Sequence, residues 1–331
     1  MLALYNHRGL SVEPPPGLAG AELPTDVVWI DLMKPDPAEI AFVEAATKLA
    51  MPSMDDLSEI ENSSRLRAEA NALYVNTPLI YRAESDEPIA TPVGFVLTAD
   101  RLITIRFAEL SAFAALATRK MPADAPPLTS STVFSDLIEA IVDRLADVLE
   151  RAATELDFLS RRLFRANPTQ PSRRRRRAVE SMSLRILLRR IGQNGDLVSK
   201  IRDSLLGIAR IVPFVLSLGS EWLPRDVKPR LETVRQDVAS LNDYDGHLAN
   251  KVQLLLDATL GMISIEQNNI IKVLAVVSVV GIPPTLIASM YGMNFKYMPE
   301  LDWAWGYPYG LALIAVSAIV PLLWFKWRGW F

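Results

Sequence analysis

The residues best placed to do chemistry lie at the end of a long apolar stretch, where Tyr291-Gly292-Met293-Asn294 is followed by Glu300. Glycine permits backbone turns that other residues resist, so Gly292 is expected to turn the chain sharply there. Asn294 then offers a neutral carbonyl, with the Glu300 carboxylate close by in sequence. A second set, Asn268, Ile271, Ala275, Ser278, Ile282, Thr285 and Ser289, falls on one helical face ahead of this turn, with Leu274 beside it. Rings of Asn or Thr can hydrogen-bond the water shell of an ion, and rings of Ile or Leu can close a pore by dewetting. The same small polar residues can equally pack one helix against another.

Other chemistries find little support. The chain has no Cys, which removes disulfides, thiolate metal sites and cysteine nucleophiles. Its two histidines, His7 and His247, lie far apart and read as ordinary surface or helix residues. No Gly-x-x-x-x-Gly-Lys loop is present for a nucleotide, and no nucleophile and base set is visible, so an enzyme is not expected. A net charge of −3 gives no reason to expect a nucleic-acid partner. The run Arg173 to Arg177 reads as a solvated helix start or hairpin tip. Contact with anionic lipid or RNA is the sharper alternative, but aromatic interleaving is missing.

The elements that must position the loop are two charge-free stretches, one between Lys272 and Lys296 and one between Asp302 and Lys326. Each runs to roughly 23 residues, the length a membrane span requires. The short link between them forces an antiparallel hairpin. Lys272, Lys326 and Arg328 flank one end, while the link carries Lys296, Glu300 and Asp302. Basic residues mark the cytoplasmic side, so both termini are expected inside and the loop outside. Trp303, Trp305, Tyr307 and Tyr309 would mark the outer interface, and Trp324, Trp327 and Trp330 the inner one. Met1 to Leu10 lacks the pattern of a signal peptide.

Roughly the first 270 residues are then expected in the cytoplasm. The early part reads as mixed α and β: an apolar run at Val27–Ile30, a helix over Asp36–Ala50, a strand over Leu73–Tyr81, and a hairpin of Val93–Thr98 with Leu102–Ile105. Pro-rich Lys120–Pro127 is a plausible boundary. The pattern then turns helical from Thr132 to about Ala166, and again from the basic run to about Ile211. A third helix starts near Asp226, with Leu231, Val234, Val238, Leu241, Asp245, Leu248, Val252, Leu255, Thr259 and Met262 on alternating steps of three and four. That is a bundle or coiled-coil seam. Nothing interrupts it before Gly281 and Pro283-Pro284, so one helix is expected from Asp226 to about Ser289.

The run Tyr291-Gly292-Met293-Asn294-Phe295 with Met298-Pro299-Glu300-Leu301 resembles the signature of the CorA family of magnesium transporters. Ile265-Glu266-Gln267-Asn268, Trp305-Gly306-Tyr307-Pro308 and the lysine ending the last apolar stretch match as well. The weaker Trp29-Ile30-Asp31-Leu32 and Asp56 to Glu61 stretches extend the likeness over essentially the whole chain, and the enterobacterial type is the most similar branch. The resemblance implies a funnel-shaped homopentameric channel: an α+β cytoplasmic domain, a long helical stalk and two transmembrane helices per protomer. On that plan the divisions are 1–127 (α/β), 128–222 (helical layer), 223–270 (stalk), 271–291 (pore-lining span), 292–306 (external loop), 307–326 (second span) and 327–331 (cytoplasmic tail).

It further implies a bacterial inner-membrane protein that carries Mg²⁺ inward down the membrane potential, with Co²⁺ and Ni²⁺ as further cargo. Mg²⁺ gives up water reluctantly, so neutral oxygens holding the hydrated ion suit it. Gly292, Met293 and Asn294 would select it; Asn268 and Thr285 would form polar rings, and Ile271, Leu274 and Ile282 the constriction, with Ser278 on the same face. Cytoplasmic Mg²⁺ would hold the channel closed. Asp237, Asp243, Asp245 and Asp257 on the stalk, with Asp31, Asp86 and Glu87 in the first domain, are the candidate regulatory ligands. Asp245 is the most pointed, being a carboxylate on an apolar seam; a register-setting polar residue is the equal alternative. The rivals are a proton-coupled zinc transporter of the same superfamily and a membrane-anchored oligomeric scaffold that transports nothing.

Overall fold

The computed structural model describes residues 1–331 apart from positions 16, 19, 60, 70, 86, 120, 121, 123–125, 165–172, 220, 295, 297 and 331, and apart from the side chains of 62, 63, 173–183 and 301. Asp86, most of Lys120–Pro127 and the side chains of Arg173–Arg177 therefore lie outside the described residues. The chain forms two compact units, 1–169 with 186–256, and 170–185 with 257–331.

The first unit opens with β1 (Leu2–Asn6), β2 (Ser11–Val12), β3 (Val27–Met33), α1 (Pro37–Thr47), α2 (Met54–Ser58) and α3 (Asn62–Arg65). It continues with β4 (Leu66–Glu69), β5 (Ala72–Tyr81), β6 (Ile89–Leu97), β7 (Leu102–Arg106), α4 (Ser111–Thr118) and α5 (Ser130–Phe164). The long helices α6 (Arg173–Leu218) and α7 (Val227–Tyr291) contribute their residues 186–218 and 227–256. The strands make one sheet in the order β2-β1-β3-β7-β6-β5-β4. Its single parallel pair, β3 with β7, requires a crossover, and the segment carrying α1 to α3 and the β4-β5-β6 meander supplies it.

A strand covered on both faces loses its polar alternation, and β3 is buried along nearly its whole length. One face of the sheet packs Leu4, Ile30, Leu32, Ile103 and Ile105 against Phe42 and Val43 of α1 and Leu57 of α2. Helix α1 begins at a capping box, in which the Asp36 carboxylate accepts from the Glu39 N–H and Glu39 accepts from the Asp36 N–H. It stops at Lys48, whose φ of 58° is left-handed, so it ends short of the expected Ala50. On the other face Phe95 meets Phe134 of α5 edge-on at 5.9 Å. Helix α6 lies directly on β5: the Thr77 hydroxyl donates to the Ser204 carbonyl at 3.4 Å, and a Cβ on Gly207 would stand 1.9 Å from Thr77 Oγ1. The three helices are tied by ion pairs, Arg230 of α7 with Asp136 and Glu139 of α5, Lys251 with Asp157, and Arg202 of α6 with Asp245 of α7. The seam read from sequence is the buried face of α7, with Leu231, Val234, Val238, Leu248, Val252 and Leu255 all covered.

In the second unit α7 continues helically through Pro283-Pro284 to Tyr291, two residues beyond the expected Ser289. Each proline forfeits one backbone bond to the preceding turn. A short 3₁₀ turn, Pro299–Leu301, leads to α8 (Gly306–Trp327). The most apolar windows of α7 and α8 have mean hydropathy 2.2 and 1.9 and are only 6% buried. Two helices this long, this apolar and this uncovered are able to cross a membrane.

The tight approach at Gly207 generates a test. Gly207→Leu is expected to lower stability by about 1–3 kcal/mol through overpacking against Thr77, seen as a lower thermal midpoint of the purified protein. An unchanged midpoint would contradict the packing of α6 on β5.

Candidate functional site

The turn that opened the sequence reading sits at the end of α7. The Gly292 N–H donates to Ala288 O at 3.0 Å and to Ser289 O at 3.2 Å, and the Met293 N–H donates to Met290 O at 3.3 Å. These bonds close the helix and leave Asn294 exposed just past its end. The chain turns at Gly292 as expected, and it does so without a positive φ. A Cβ at Gly292 would approach Ala288 O at 3.3 Å, so it matters through close backbone approach.

A second glycine, missed in the sequence reading, shapes the loop more strongly. A Cβ on Gly306 would stand 2.0 Å from the Glu300 carbonyl oxygen. The Gly306 N–H donates to Trp303 O at 2.9 Å, and the Trp303 and Tyr309 rings meet at 5.7 Å. The segment carrying Glu300 is thus folded back on the start of α8, with its carboxylate residue exposed. The signal was present in Trp305-Gly306-Tyr307-Pro308, where glycine opens a helix whose second turn holds Gly310.

Along α7, Asn268, Ile271, Leu274, Ile282 and Thr285 are exposed and Ser278 is half-covered. Ile271, Leu274 and Ile282 each expose more than 60% of their surface, which a water-soluble helix face would not sustain. The Thr285 hydroxyl donates to Gly281 O at 2.8 Å. Its hydrogen is therefore turned to the backbone, leaving oxygen lone pairs outward as acceptors, the polarity a hydrated cation needs. Aromatic residues gather at both ends of α8: Trp303, Trp305, Tyr307 and Tyr309 before and within its first turn, Trp324, Trp327 and Trp330 around its last.

The acidic candidates separate into distinct environments. Asp31 is buried in a polar knot: Arg106 reaches it with Nε and Nη2, at 2.8 Å for the latter, Thr104 donates to it at 2.7 Å, and the Trp29 indole donates to Thr104 at 3.0 Å. Asp245 is fully buried, with one oxygen paired to Arg202 Nε at 2.7 Å and the other without a hydrogen bond. Both are held by groups of their own chain. Asp237, Asp243 and Asp257 are exposed on α7, as is Glu87 ahead of β6. The structure also brings Asp237 within electrostatic reach of Asp143 on α5, which the sequence reading passed over. Burial pushes the Asp143 carboxyl up, and Glu139, Asp147 and Asp237 add to it. No group of three or more metal-binding side chains is assembled among the described residues.

The description "CorA-like Mg2+ transporter protein" matches residues 24–327. The chain belongs to the CorA family. Magnesium transport protein CorA of Yersinia pestis is 31% identical over 303 residues, covering 92% of either chain. Its Salmonella typhimurium counterpart is 32% identical over 305 residues, again 92% of each. The solved CorA magnesium transporter of Methanocaldococcus jannaschii shares the fold at a TM-score of 0.70 and 18% identity, over 100% of this chain and 98% of its own. CorA membership accounts for the α+β unit followed by a long helix and two apolar helices.

The buried Asp245 gives a pH prediction. Burial raises its pKa, more than the Arg202 bond and charge lower it, and Asp203 adds to the rise. A raised folded-state pKa contributes stability below the ordinary carboxylate range and loses it as pH rises through the folded value. The thermal midpoint of the unaltered protein, minus that of Asp245→Asn, should therefore fall as pH is raised from about 4 towards neutrality. A difference that rises instead would mean the Arg202 pair dominates.

Proposed function

We propose that this CorA-family chain is a Mg²⁺ channel of a bacterial inner membrane, assembled as a homopentamer with both termini in the cytoplasm. The observation that carries this reading is an intact Gly292-Met293-Asn294 turn between two uncovered apolar helices, in a chain matching a Mg²⁺ transporter family from residue 24 to 327. One hairpin of helices encloses no path by itself. Cyclic repetition about an axis supplies the wall, with the face bearing Asn268, Ser278 and Thr285 turned inward. The Asn294 carbonyl would hold the ion through its water shell, since Mg²⁺ sheds water reluctantly. Ile271, Leu274 and Ile282 would close the pore by dewetting. Glu300, exposed on the folded-back loop, raises the local cation concentration at the mouth.

A charge of +2 moving inward gains roughly 4.6 kcal/mol per 100 mV, twice the single-charge value, so no nucleotide is needed. Co²⁺ and Ni²⁺ share that charge and are read as secondary cargo. Cytoplasmic Mg²⁺ is read as the closing signal. Its ligands are sought among the exposed carboxylates Asp237, Asp243 and Glu87 rather than at Asp31 or Asp245, whose charges are already opposed by Arg106 and Arg202. Asp237 is the leading candidate because Asp143 lies within its field, and a bound cation relieves repulsion between them.

Expression in a strain starved of Mg²⁺ tests the reading. The unaltered chain should restore growth and Asn294→Ala should not, at equal protein level; equal rescue by both would reject a selective role for the turn. Gly306→Ala should also abolish rescue by displacing Glu300, whereas Gly310→Ala, with open space around it, should not.

A further inference from the structure

The run Arg173 to Arg177 has no part in passing an ion, yet the helices fix the level at which it stands. Arg202 Nε of α6 pairs with Asp245 of α7 at 2.7 Å. Seven residues nearer the start of α6, a Cβ on Gly195 would stand 3.1 Å from Val252 Cγ1, seven residues further along α7. The two helices are therefore antiparallel and advance residue for residue. Both stay helical beyond these contacts, α6 back to Arg173 and α7 on to Tyr291. Twenty residues past the Gly195 contact, roughly 30 Å at 1.5 Å per residue, Arg175 comes level with Lys272. In keeping with this, the first turns of α6, up to Arg185, belong to the same compact unit as residues 257–331. Lys272 is where the charge-free stretch of α7 begins. That stretch is about as long as a hydrocarbon core is thick, so Lys272 marks the core boundary and the headgroup layer lies just outside it.

Charge decides the kind of partner. Between Arg173 and Arg185 the chain carries six arginines and one acid, Glu180. Between Asp257 and Lys296, α7 carries one acid, Glu266. On the topology proposed above, Lys326 and Arg328 stand at the same boundary as Lys272, so the chain gathers cations there well in excess of its own carboxylates. An anionic surface at that level answers them, and the guanidinium fork matches a phosphodiester with two parallel N–H bonds. RNA would be gripped by stacking as well as charge, and no aromatic residue lies between Arg173 and Arg185. Given that α7 and α8 cross a bilayer, we propose that Arg173–Arg177 dock on anionic phospholipid headgroups of the leaflet at the Lys272 end of the spans, fastening the start of α6 to the membrane in which α7 is seated.

The chain has no Cys, so Ala178→Cys places a single bimane label just past the run in the full-length protein. In vesicles carrying a headgroup nitroxide, the label should be quenched at least about twofold more strongly when the bilayer mixes phosphatidylglycerol with phosphatidylcholine than in phosphatidylcholine alone. Raising NaCl to about 0.5 M should remove that difference, as it does for exposed charges. The variant carrying Arg173→Gln through Arg177→Gln should lose it too. A run that is merely solvated gives no quenching in either bilayer, and a run held at the surface by the fold alone gives equal quenching in both; either result would overturn the proposal. So would a bimane shift on adding single-stranded RNA without any response to phosphatidylglycerol. A second label, Val316→Cys in the middle of α8, should be quenched by an acyl-chain nitroxide whatever the headgroup. Its silence would overturn the membrane spans and this contact with them. A quenched Val316 label beside a silent Ala178 label would overturn the contact alone.

Discussion

Everything at the C-terminal end of this chain follows from one constraint: in a bilayer a backbone has no water to bond, so it must satisfy itself. That makes both charge-free stretches helical and keeps charge out of them. It also explains why the functional groups near them are a carboxamide, hydroxyls and backbone carbonyls. Thr285 shows the consequence in miniature, since its hydrogen goes to Gly281 and only acceptor lone pairs face outward. The turn between the helices is compact. Gly306 makes it so, letting the chain fold Glu300 back onto the start of α8 at a distance no side chain allows.

The first unit answers a different demand, burying polar groups without leaving them alone. Asp31 sits in the parallel pair of the sheet because Arg106, Thr104 and Trp29 converge on it. Removing one partner of such a pair costs about 3–5 kcal/mol, because the other charge is left buried and uncompensated. The helical layer uses ion pairs more openly. Arg230, Lys251 and Arg202 each tie α7 to α5 or α6. The result is a division between acidic residues paired inside the fold, Asp31 and Asp245 among them, and acidic residues on its surface, such as Asp237 and Asp243. Asp245, read from sequence equally as a ligand or a register-setting polar residue, is buried with one oxygen paired to Arg202.

That division was not legible in the sequence, and the reason is physical. Asp31 and Arg106 are 75 residues apart, and only the parallel crossover brings them together. Nothing local to Asp237 reveals that Asp143 faces it from another helix. Periodicity, by contrast, is local, and it located the seam of α7, the length of α5 and both apolar helices to within a few residues. It also found β5 and the β6–β7 hairpin. It missed β1, β2, β4 and the short helices α2 to α4, whose few residues carry too little pattern to stand out. The Gly292-Met293-Asn294 turn was found through its neighbours, but local sequence does not reveal the close approach of its glycine to Ala288 O.

The central claim is that an axial assembly of α7 passes Mg²⁺ passively under the membrane potential. The most direct measurement is Mg²⁺ entry into liposomes holding the purified protein, with the potential set by a K⁺ gradient and valinomycin. Entry should rise as the interior is made more negative, need no nucleotide, and vanish for Asn294→Ala. Flux indifferent to the potential, or no flux above the Asn294→Ala level, would contradict the account.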